Sequence, residues 1–138
     1  MELKTKLLYS TPHLETLIAT AILTTTSPMK PSKLFKLLLE NPEKTSQLLR
    51  RIETHHGSIL EHNRVYWIVE ADDSEVLNVL LCNRFFTFTR IEKSRWLMSA
   101  NLRSIIDLHR ACGSKFSSEI IKSLAEVVPN IYESIKEG

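Results

Sequence analysis

Glycine is scarce in this sequence of 138 residues, where it occurs only three times. A glycine-rich loop that wraps backbone N–H groups around a phosphate is therefore excluded, and regular structure with few tight turns is expected. No stretch approaches the roughly 18 apolar residues of a membrane-spanning helix, and the N-terminus has no apolar signal core. From these absences we expect a cytoplasmic protein that has no membrane partner.

Cysteine is also sparse, since Cys82 and Cys112 are the only two. Their separation fits no metal-ligand motif, so no metal site is predicted. Two cysteines do not make a disulfide framework, and we expect reduced, intracellular thiols. Cys82 follows an apolar run, which is more typical of an inert core thiol than of a nucleophile.

Charge of one sign is not concentrated anywhere, and the net charge is only +2. Since no basic block is interleaved with aromatic residues, a nucleic-acid partner is not expected. Hydrophobic residues make up 43% and charged residues 25% of the chain. This balance is ordinary for a globular protein, so residues 1–138 are predicted to form a single domain with its own core.

Hydrophobic periodicity and turn residues predict an α+β (α/β-like) domain in which six or seven helices pack with a small antiparallel sheet of three or four strands. The strand at 65–69 is apolar at consecutive positions, so we expect both of its faces to be covered. Thr11, Asp72, Ser99 or Asn101, and Ser117 or Ser118 are candidate helix caps. The predicted strands are 3–9, 65–69 and 85–89, and the predicted helices are 12–26, 32–40, 43–54, one from Asp72 with an apolar stripe of Val76, Leu77, Leu80 and Leu81, one ending at Arg110, one ending near Val128, and a short one from Pro129.

One polar segment, residues 56–62, directly precedes the apolar strand. It contains His56, Ser58, Glu61 and His62, and such groups are costly to bury unless each has a partner or a ligand. One interpretation is a helix end at which Ser58 and Glu61 form a capping box. The other is a ligand site, and the residues leave both open.

The order of the segments resembles that of the flavin-dependent thymidylate synthases over nearly the whole chain. His56-x-Ser58-x-x-Glu61-His62 is similar to the family's His-x-Ser-x-x-Glu-His motif, which also precedes an aromatic-rich strand. The family's Arg-His-Arg-x-x-Ser signature falls on residues 82–87, where Arg84 and Thr87 match its last arginine and its serine. Further matches, which occur in the family's order, are Lys6 to Pro12, Arg95-Trp96, Asn101-x-Arg103 and Lys122.

The chain departs from the family at several ligand-binding positions. Cys82 and Asn83 replace the first arginine and the histidine of the signature, while Leu23 and Val79 replace other polar positions. The family's helical insertion is missing near residues 96–100. Since ligand-facing groups contribute little to the core, this pattern predicts that the scaffold is kept and that autonomous catalysis is impaired or absent.

The resemblance implies binding of FAD and deoxyuridylate (dUMP) for reductive methylation to thymidylate, with NADPH and methylenetetrahydrofolate as co-substrates. It assigns cofactor binding to His56, Ser58, Glu61, Arg84, Asn101 and Arg103, and substrate binding to Thr87, Arg95 and Lys122. No catalytic residue is assigned. A planar, permanently charged arginine fork suits phosphate and pyrimidine edges.

Purely structural roles remain open for several of these residues. Arg103 is spaced to pair with Asp107, and Lys122 is spaced to pair with Glu119 or Glu126. The resemblance also implies a homo-oligomer, a tetramer or a dimer. The alternative function is an inactive flavin- or nucleotide-binding protein, or a structural partner subunit of a complete synthase paralogue.

Overall fold

The computed structural model describes residues 2–51 and 57–137. Within these ranges seven α-helices accompany one four-stranded antiparallel sheet, which confirms the α+β class. The elements, in chain order, are β1 (Lys4–Ser10), α1 (Leu14–Thr24), α2 (Pro31–Glu40), α3 (Pro42–Arg50), a 3-10 helix (Gly57–Glu61), β2 (Val65–Glu70), α4 (Asp73–Cys82), β3 (Thr87–Glu92), β4 (Arg95–Ala100), α5 (Leu102–Ala111), α6 (Lys115–Ser123), a second 3-10 helix (Leu124–Glu126) and α7 (Pro129–Glu137).

The sheet has the order β1-β2-β4-β3 and one covered face. Along β2, Val65, Trp67 and Val69 are fully buried, whereas the alternate residues are only partly buried. We call the side of Trp67 the inner face and the side of Tyr66 the outer face. The expectation that both faces of β2 are covered is therefore wrong: bulky residues occupy consecutive positions, but within the described residues those of the outer face are only partly buried.

One hydrophobic core fills the space between the inner face and helices α5 and α6. Ile105 is 1% exposed, and Ile120 and Leu124 are 0% exposed, as their helical spacing predicts. The indole N–H of Trp67 donates to Ser123 Oγ at 2.7 Å, which satisfies a buried donor of the sheet with an acceptor from α6.

β4 covers residues 96–100, near which the family's helical insertion is missing. Trp96, Met98 and Ala100 lie in its buried positions, and the strand joins β2 to the edge strand β3. Because β4 lies between two other strands, the side chains on both of its faces after Arg95 are apolar or small. The segment between Arg95 and Asn101 is thus a sheet strand and not a tight loop.

Helix starts agree with the capping residues at α4 and α5 but not at α1 and α6. Asp72 accepts from the backbone N–H of Glu75, and Asn101 accepts from that of Ser104. The predicted cap of α1, Thr11, is wrong because Thr11 instead hydrogen-bonds Arg64 across the chain. The predicted cap of α6 is also wrong, since Ser114 is the cap and Ser117 is its partner in a capping box.

The apolar stripe predicted for α4 is only partly correct. Val76 and Val79 are buried, whereas Leu77, Leu80 and Leu81 are exposed by 55%, 38% and 77%. α4 therefore packs through a narrow stripe, and its leucines form an apolar surface together with Phe85, which is 60% exposed. We call Leu77, Leu80, Leu81 and Phe85 the α4 patch.

Candidate functional site

A cleft of about 510 Å³ lies between the end of α4, the turn that precedes β3, the first 3-10 helix and the first half of α5. We call it the α4–α5 cleft. Four of the predicted cofactor-binding residues line it although they come from three separate segments: Glu61, Arg84, Asn101 and Arg103. The volume falls within the range of small-molecule sites.

The floor of this cleft is built by hydrogen bonds at the start of α5. Asn101 Oδ1 accepts from the Ser104 backbone N–H at 2.9 Å, and Asn63 Oδ1 accepts from that of Leu102 at 2.9 Å. Asn63 also donates from Nδ2 to the Leu60 carbonyl at 2.8 Å. These bonds satisfy two free N–H groups of the helix and fix the 3-10 helix against α5. Asn101 is thereby a helix cap as well as a cleft residue.

Arg103 lies in the middle of the cleft and is paired with carboxylates on both sides. Its Nη1 is 3.3 Å from Glu61 Oε1, and its Nε is 3.7 Å from Asp107 Oδ2. The side chain also packs on Gly57, where an added Cβ would come within 2.5 Å of Arg103 Cζ. The structural alternative for Arg103, which is pairing with Asp107, is confirmed, and Glu61 is a second carboxylate partner.

Arg84 is the second cation of the cleft, and its environment differs. Its guanidinium carbon lies 5.0 Å from the centroid of the Phe85 ring. Among residues 2–51 and 57–137, no carboxylate pairs with it. Asn83 shapes this turn, since its Oδ1 accepts from the Phe85 N–H at 2.9 Å and its Nδ2 donates to the Ser104 carbonyl at 3.4 Å. Arg84 is thus a charge with an aromatic neighbour and no counterion in the described chain.

A disulfide starts from Cys82 in the lining of the cleft, which overturns the expectation of reduced thiols and of an inert Cys82. Cys82, at the end of α4, is joined to Cys112, at the end of α5, with 6.6 Å between the Cα atoms. The two residues are 30 positions apart, and their spacing matches no cysteine motif. Only the packing of α4 beside α5 brings them together, so sequence spacing gave no signal.

The three predicted substrate-binding residues lie outside the lining of the cleft. Thr87 Oγ1 accepts from Arg64 Nη2 at 2.9 Å. Arg95 pairs with Glu92 at 3.1 Å, at the opposite end of β4 from Asn101. Lys122 pairs with Glu119 at 3.6 Å on α6, so the structural alternative for this residue is confirmed.

The histidine motif is described only in part. The prediction for His56 lies outside the described residues. Ser58 is exposed within the first 3-10 helix, and His62 is exposed just after it. Glu61 does not form the capping box with Ser58 that was one interpretation of the sequence, because its carboxylate pairs with Arg103.

Arg64 is a residue that the sequence reasoning missed. It precedes β2 by one position, and its guanidinium lies on the outer face, where it bonds Ser99 as well as Thr87. The available signal was its position two residues before Tyr66, because residues i and i+2 of a strand share a face.

One carboxyl on α4 has a perturbed pKa. The Ser74 hydroxyl donates to Asp72 Oδ1 at 2.6 Å, and the Glu75 N–H donates to the same oxygen at 3.0 Å. These two bonds, the hydroxyl first, lower the pKa of Asp72 below its ordinary value. The Asp72 carboxylate, which caps the start of α4, therefore stays ionised to a lower pH than an ordinary aspartate does.

No family model matches this chain, and no curated protein matches it. Each helix that the structure describes is too short or too polar to cross a membrane. In the same part of the chain, no group of three His, Cys, Asp or Glu side chains is arranged to hold a metal ion. Membership of the flavin-dependent thymidylate synthases therefore stays a prediction.

Proposed function

We propose that this protein is a homologue of the flavin-dependent thymidylate synthases that binds FAD in the α4–α5 cleft and that also binds dUMP. One observation carries the proposal. Glu61, Arg84, Asn101 and Arg103, chosen from a motif order spread over 43 positions (61 to 103), line one cleft. Residues chosen for unrelated reasons would not be expected to meet in this way.

Arg84 is the residue that best suits the cleft to an anionic, planar ligand. Arg84 offers a guanidinium fork to a phosphate, and the exposed Phe85 ring beside it offers a stacking surface. The other cation, Arg103, already has two carboxylate partners. The bound flavin would supply the hydride chemistry, and this chain's residues would hold its phosphate and ring.

We further propose that the protein does not methylate dUMP by itself. Asn83 uses its side chain to shape the turn before Phe85, and Cys82 is consumed in a disulfide. Glu61 and Asp107 both pair with Arg103, and together with Arg84 the four charged residues of the cleft sum to zero. Little net positive charge is therefore left for a diphosphate or for uracil as it becomes anionic. Purified protein given FAD, NADPH, methylenetetrahydrofolate and dUMP is expected to form no thymidylate.

The binding proposal is tested by titrating the purified protein with FAD and following flavin fluorescence. We expect uptake in the micromolar range, and Arg84→Ala should weaken it by about 10- to 150-fold, the value of one charge-assisted hydrogen bond. Lys36→Ala removes an equal charge from an exposed position on α2 and should leave the affinity within about twofold. A protein that takes up no FAD, or an Arg84→Ala variant that binds as the wild type does, would contradict the proposal.

A second candidate function is that of a partner subunit, and the α4 patch favours it. Leu81 and Phe85 are 77% and 60% exposed directly beside the cleft, and apolar patches of this kind commonly mark protein interfaces. We propose that a second copy of this chain covers the patch, giving a dimer or a tetramer, and that a complete synthase paralogue is the alternative partner. Light scattering on wild type and Leu81→Asp tests this, since the charged variant should be monomeric.

A cytoplasmic location is part of the same proposal, and the disulfide provides its test. Disulfides are typical of oxidising compartments and of intracellular proteins from hyperthermophiles. Alkylation of free thiols in intact cells, before lysis, would find Cys82 and Cys112 blocked if the bond persists there. Full labelling of both thiols would support a reducing compartment such as the cytoplasm, in which case the disulfide forms only after the protein leaves that compartment.

A further inference from the structure

We propose that Arg64 is the cation of a second anion site, which lies on the outer face of the sheet and takes the phosphate of a phosphomonoester. Arg64, Thr87 and Ser99 form this site, and none of the three lines the α4–α5 cleft. Because Thr87 is one of the residues that the resemblance assigns to dUMP, the inference deepens the proposed binding of dUMP and rests on it for the choice of nucleotide. It does not require that flavin is bound.

The backbone of Arg64 is held firmly in place by Thr11. The Thr11 N–H donates to the Arg64 carbonyl at 2.9 Å, and the Arg64 N–H donates to Thr11 Oγ1 at 2.8 Å. These two bonds join the start of β2 to the residue that follows β1. The arginine therefore projects from a fixed point, so less conformational freedom is lost when a ligand binds.

In the part of the chain that the structure describes, the acceptors that hold the guanidinium in one orientation are neutral oxygens. Nε and Nη2 donate to Ser99 Oγ at 3.3 and 3.0 Å, and Nη2 donates to Thr87 Oγ1 at 2.9 Å and, at 3.4 Å, to the Ser99 carbonyl. In residues 2–51 and 57–137, nothing accepts from Nη1. The side chain is partly buried, and a cation withdrawn from water is ordinarily given a counterion.

Three other arginines provide the comparison, because each has a carboxylate. Arg90 pairs with Asp73 at 3.0 Å, Arg95 pairs with Glu92, and Arg103 pairs with Glu61 and Asp107. Arg64 is as well ordered by its hydrogen bonds as these three, yet its charge is uncompensated in the described chain. An external anion would supply the negative charge that a carboxylate of the chain supplies to the other three arginines.

The donors around Arg64 suit a tetrahedral oxyanion. Nη1 keeps two N–H groups, and because the Thr87 and Ser99 oxygens accept from the guanidinium, their O–H groups remain available to donate. The acidic residues of the outer face, Glu70 and Glu92, are at the other end of the strands, where they pair with Lys4 and Arg95. Among residues 2–51 and 57–137, a phosphate at Arg64 would thus meet donors, while the carboxylates of the outer face lie at the far end of the strands.

The neighbouring side chains offer a surface for a ring attached to that phosphate. Tyr66 is the cross-strand partner of Ser99, and Tyr9 is the partner of Tyr66. The two tyrosine rings lie 6.1 Å apart, and Tyr9 is 57% exposed. Aromatic rings next to an arginine fork are typical of sites that hold a phosphate together with a planar base.

The test is a titration of ¹⁵N-labelled wild-type protein, with the Arg64 Nε–Hε signal as the readout. That signal, assigned by its loss in Arg64→Lys, should shift saturably with inorganic phosphate and with dUMP. Sodium chloride at equal ionic strength and deoxyuridine should leave it unmoved. A nucleotide that binds more tightly than inorganic phosphate would identify a nucleoside monophosphate as the ligand, and equal affinities would identify free phosphate.

Variants complete the test and separate it from the flavin proposal. Arg64→Met should weaken phosphate binding by at least about tenfold, and Thr87→Val, which leaves the arginine in place, should weaken it by a smaller factor. Lys36→Ala should bind phosphate as the wild type does. An Arg64 signal that phosphate does not move overturns the inference, as does a folded Arg64→Met that binds normally, whatever the FAD titration gives.

Discussion

At the scale of single residues, the partner of each arginine decides what it can bind. Arg103 is neutralised by Glu61 and Asp107, Arg84 rests on an aromatic ring, and Arg64 is held by hydroxyl and carbonyl oxygens. Exposed ion pairs contribute little to stability, so Arg103 can exchange partners at low cost. Arg84 and Arg64 need no such exchange, so an anion meets less resistance at these two arginines than at Arg103.

Asn63 is the residue whose loss should most directly loosen the floor of the cleft. Its side chain accepts from Leu102 N and donates to Leu60 O. Asn63→Ala should lower the free energy of unfolding by about 1–2 kcal/mol, because a helix N–H and a carbonyl each lose a partner. Denaturant unfolding measures this, with Asn78→Ala on the exposed side of α4 as the amide control. Equal stability of the two variants would mean that water replaces Asn63 without loss.

At the scale of elements, side chains distant in sequence fix where helices begin. Glu15 on α1 accepts from the backbone N–H groups of Asn130 and Ile131 at 2.9 and 3.0 Å, at the first turn of α7. A carboxylate at this point satisfies two free N–H groups and complements the helix dipole. α7 is therefore attached to α1 through its first turn, while it packs beside α3.

Glu15→Ala should accordingly destabilise the protein by about 1–3 kcal/mol, since two backbone donors are left without an acceptor. Glu15→Gln keeps an oxygen acceptor and should lose less. Glu43→Ala, an exposed acidic residue in the first turn of α3, is the control for the loss of a charge. Thermal unfolding followed by circular dichroism ranks the three variants. If the Glu43 variant is the least stable, the bonds to α7 are not what stabilises this helix.

At the scale of the whole molecule, the disulfide is the one covalent link between distant parts of the chain. It joins α4 to α5 across 30 residues that include β3 and β4. In the chain-entropy account, closing a loop of this length restricts the unfolded ensemble by about 3–4 kcal/mol.

The double variant Cys82→Ser/Cys112→Ser should therefore unfold with a free energy lower by about 3–4 kcal/mol at most. A dithiol reductant should lower the unfolding midpoint of the wild type and leave that of the double variant unchanged. Denaturant titration with and without the reductant provides the measurement. A wild-type midpoint that ignores full reduction, verified by thiol counting, would show that the bond adds no stability.

Much of the fold was predictable because its signals are local. Asp72 and Asn101 cap the helices that their neighbours predict, and Ile120, Ile121, Leu124 and Val128 are buried as their spacing requires. The errors arose where a local signal competes with a contact to a residue distant in sequence. Thr11 before Pro12 has the pattern of a cap, but the same hydroxyl makes hydrogen bonds to Arg64 across the sheet.

The candidate site was predictable in part, for a related reason. The motif order selected four residues that converge on one cleft, but their partners could not be chosen from spacing alone. Glu61 lies 42 positions from Arg103, and Arg64 lies 23 positions from Thr87. Such pairs form only after the sheet order brings their segments together.

The sequence by itself determined the types of most elements, their approximate bounds and the residues of the core, because periodicity and capping act over a few residues. The tertiary structure alone decided which face of the sheet is covered, which leucines of α4 are exposed, and that Cys82 meets Cys112. It also decided which arginines keep an uncompensated charge. The physical reason is that burial and ion pairing depend on what lies across space, and strand order and helix packing set those neighbours.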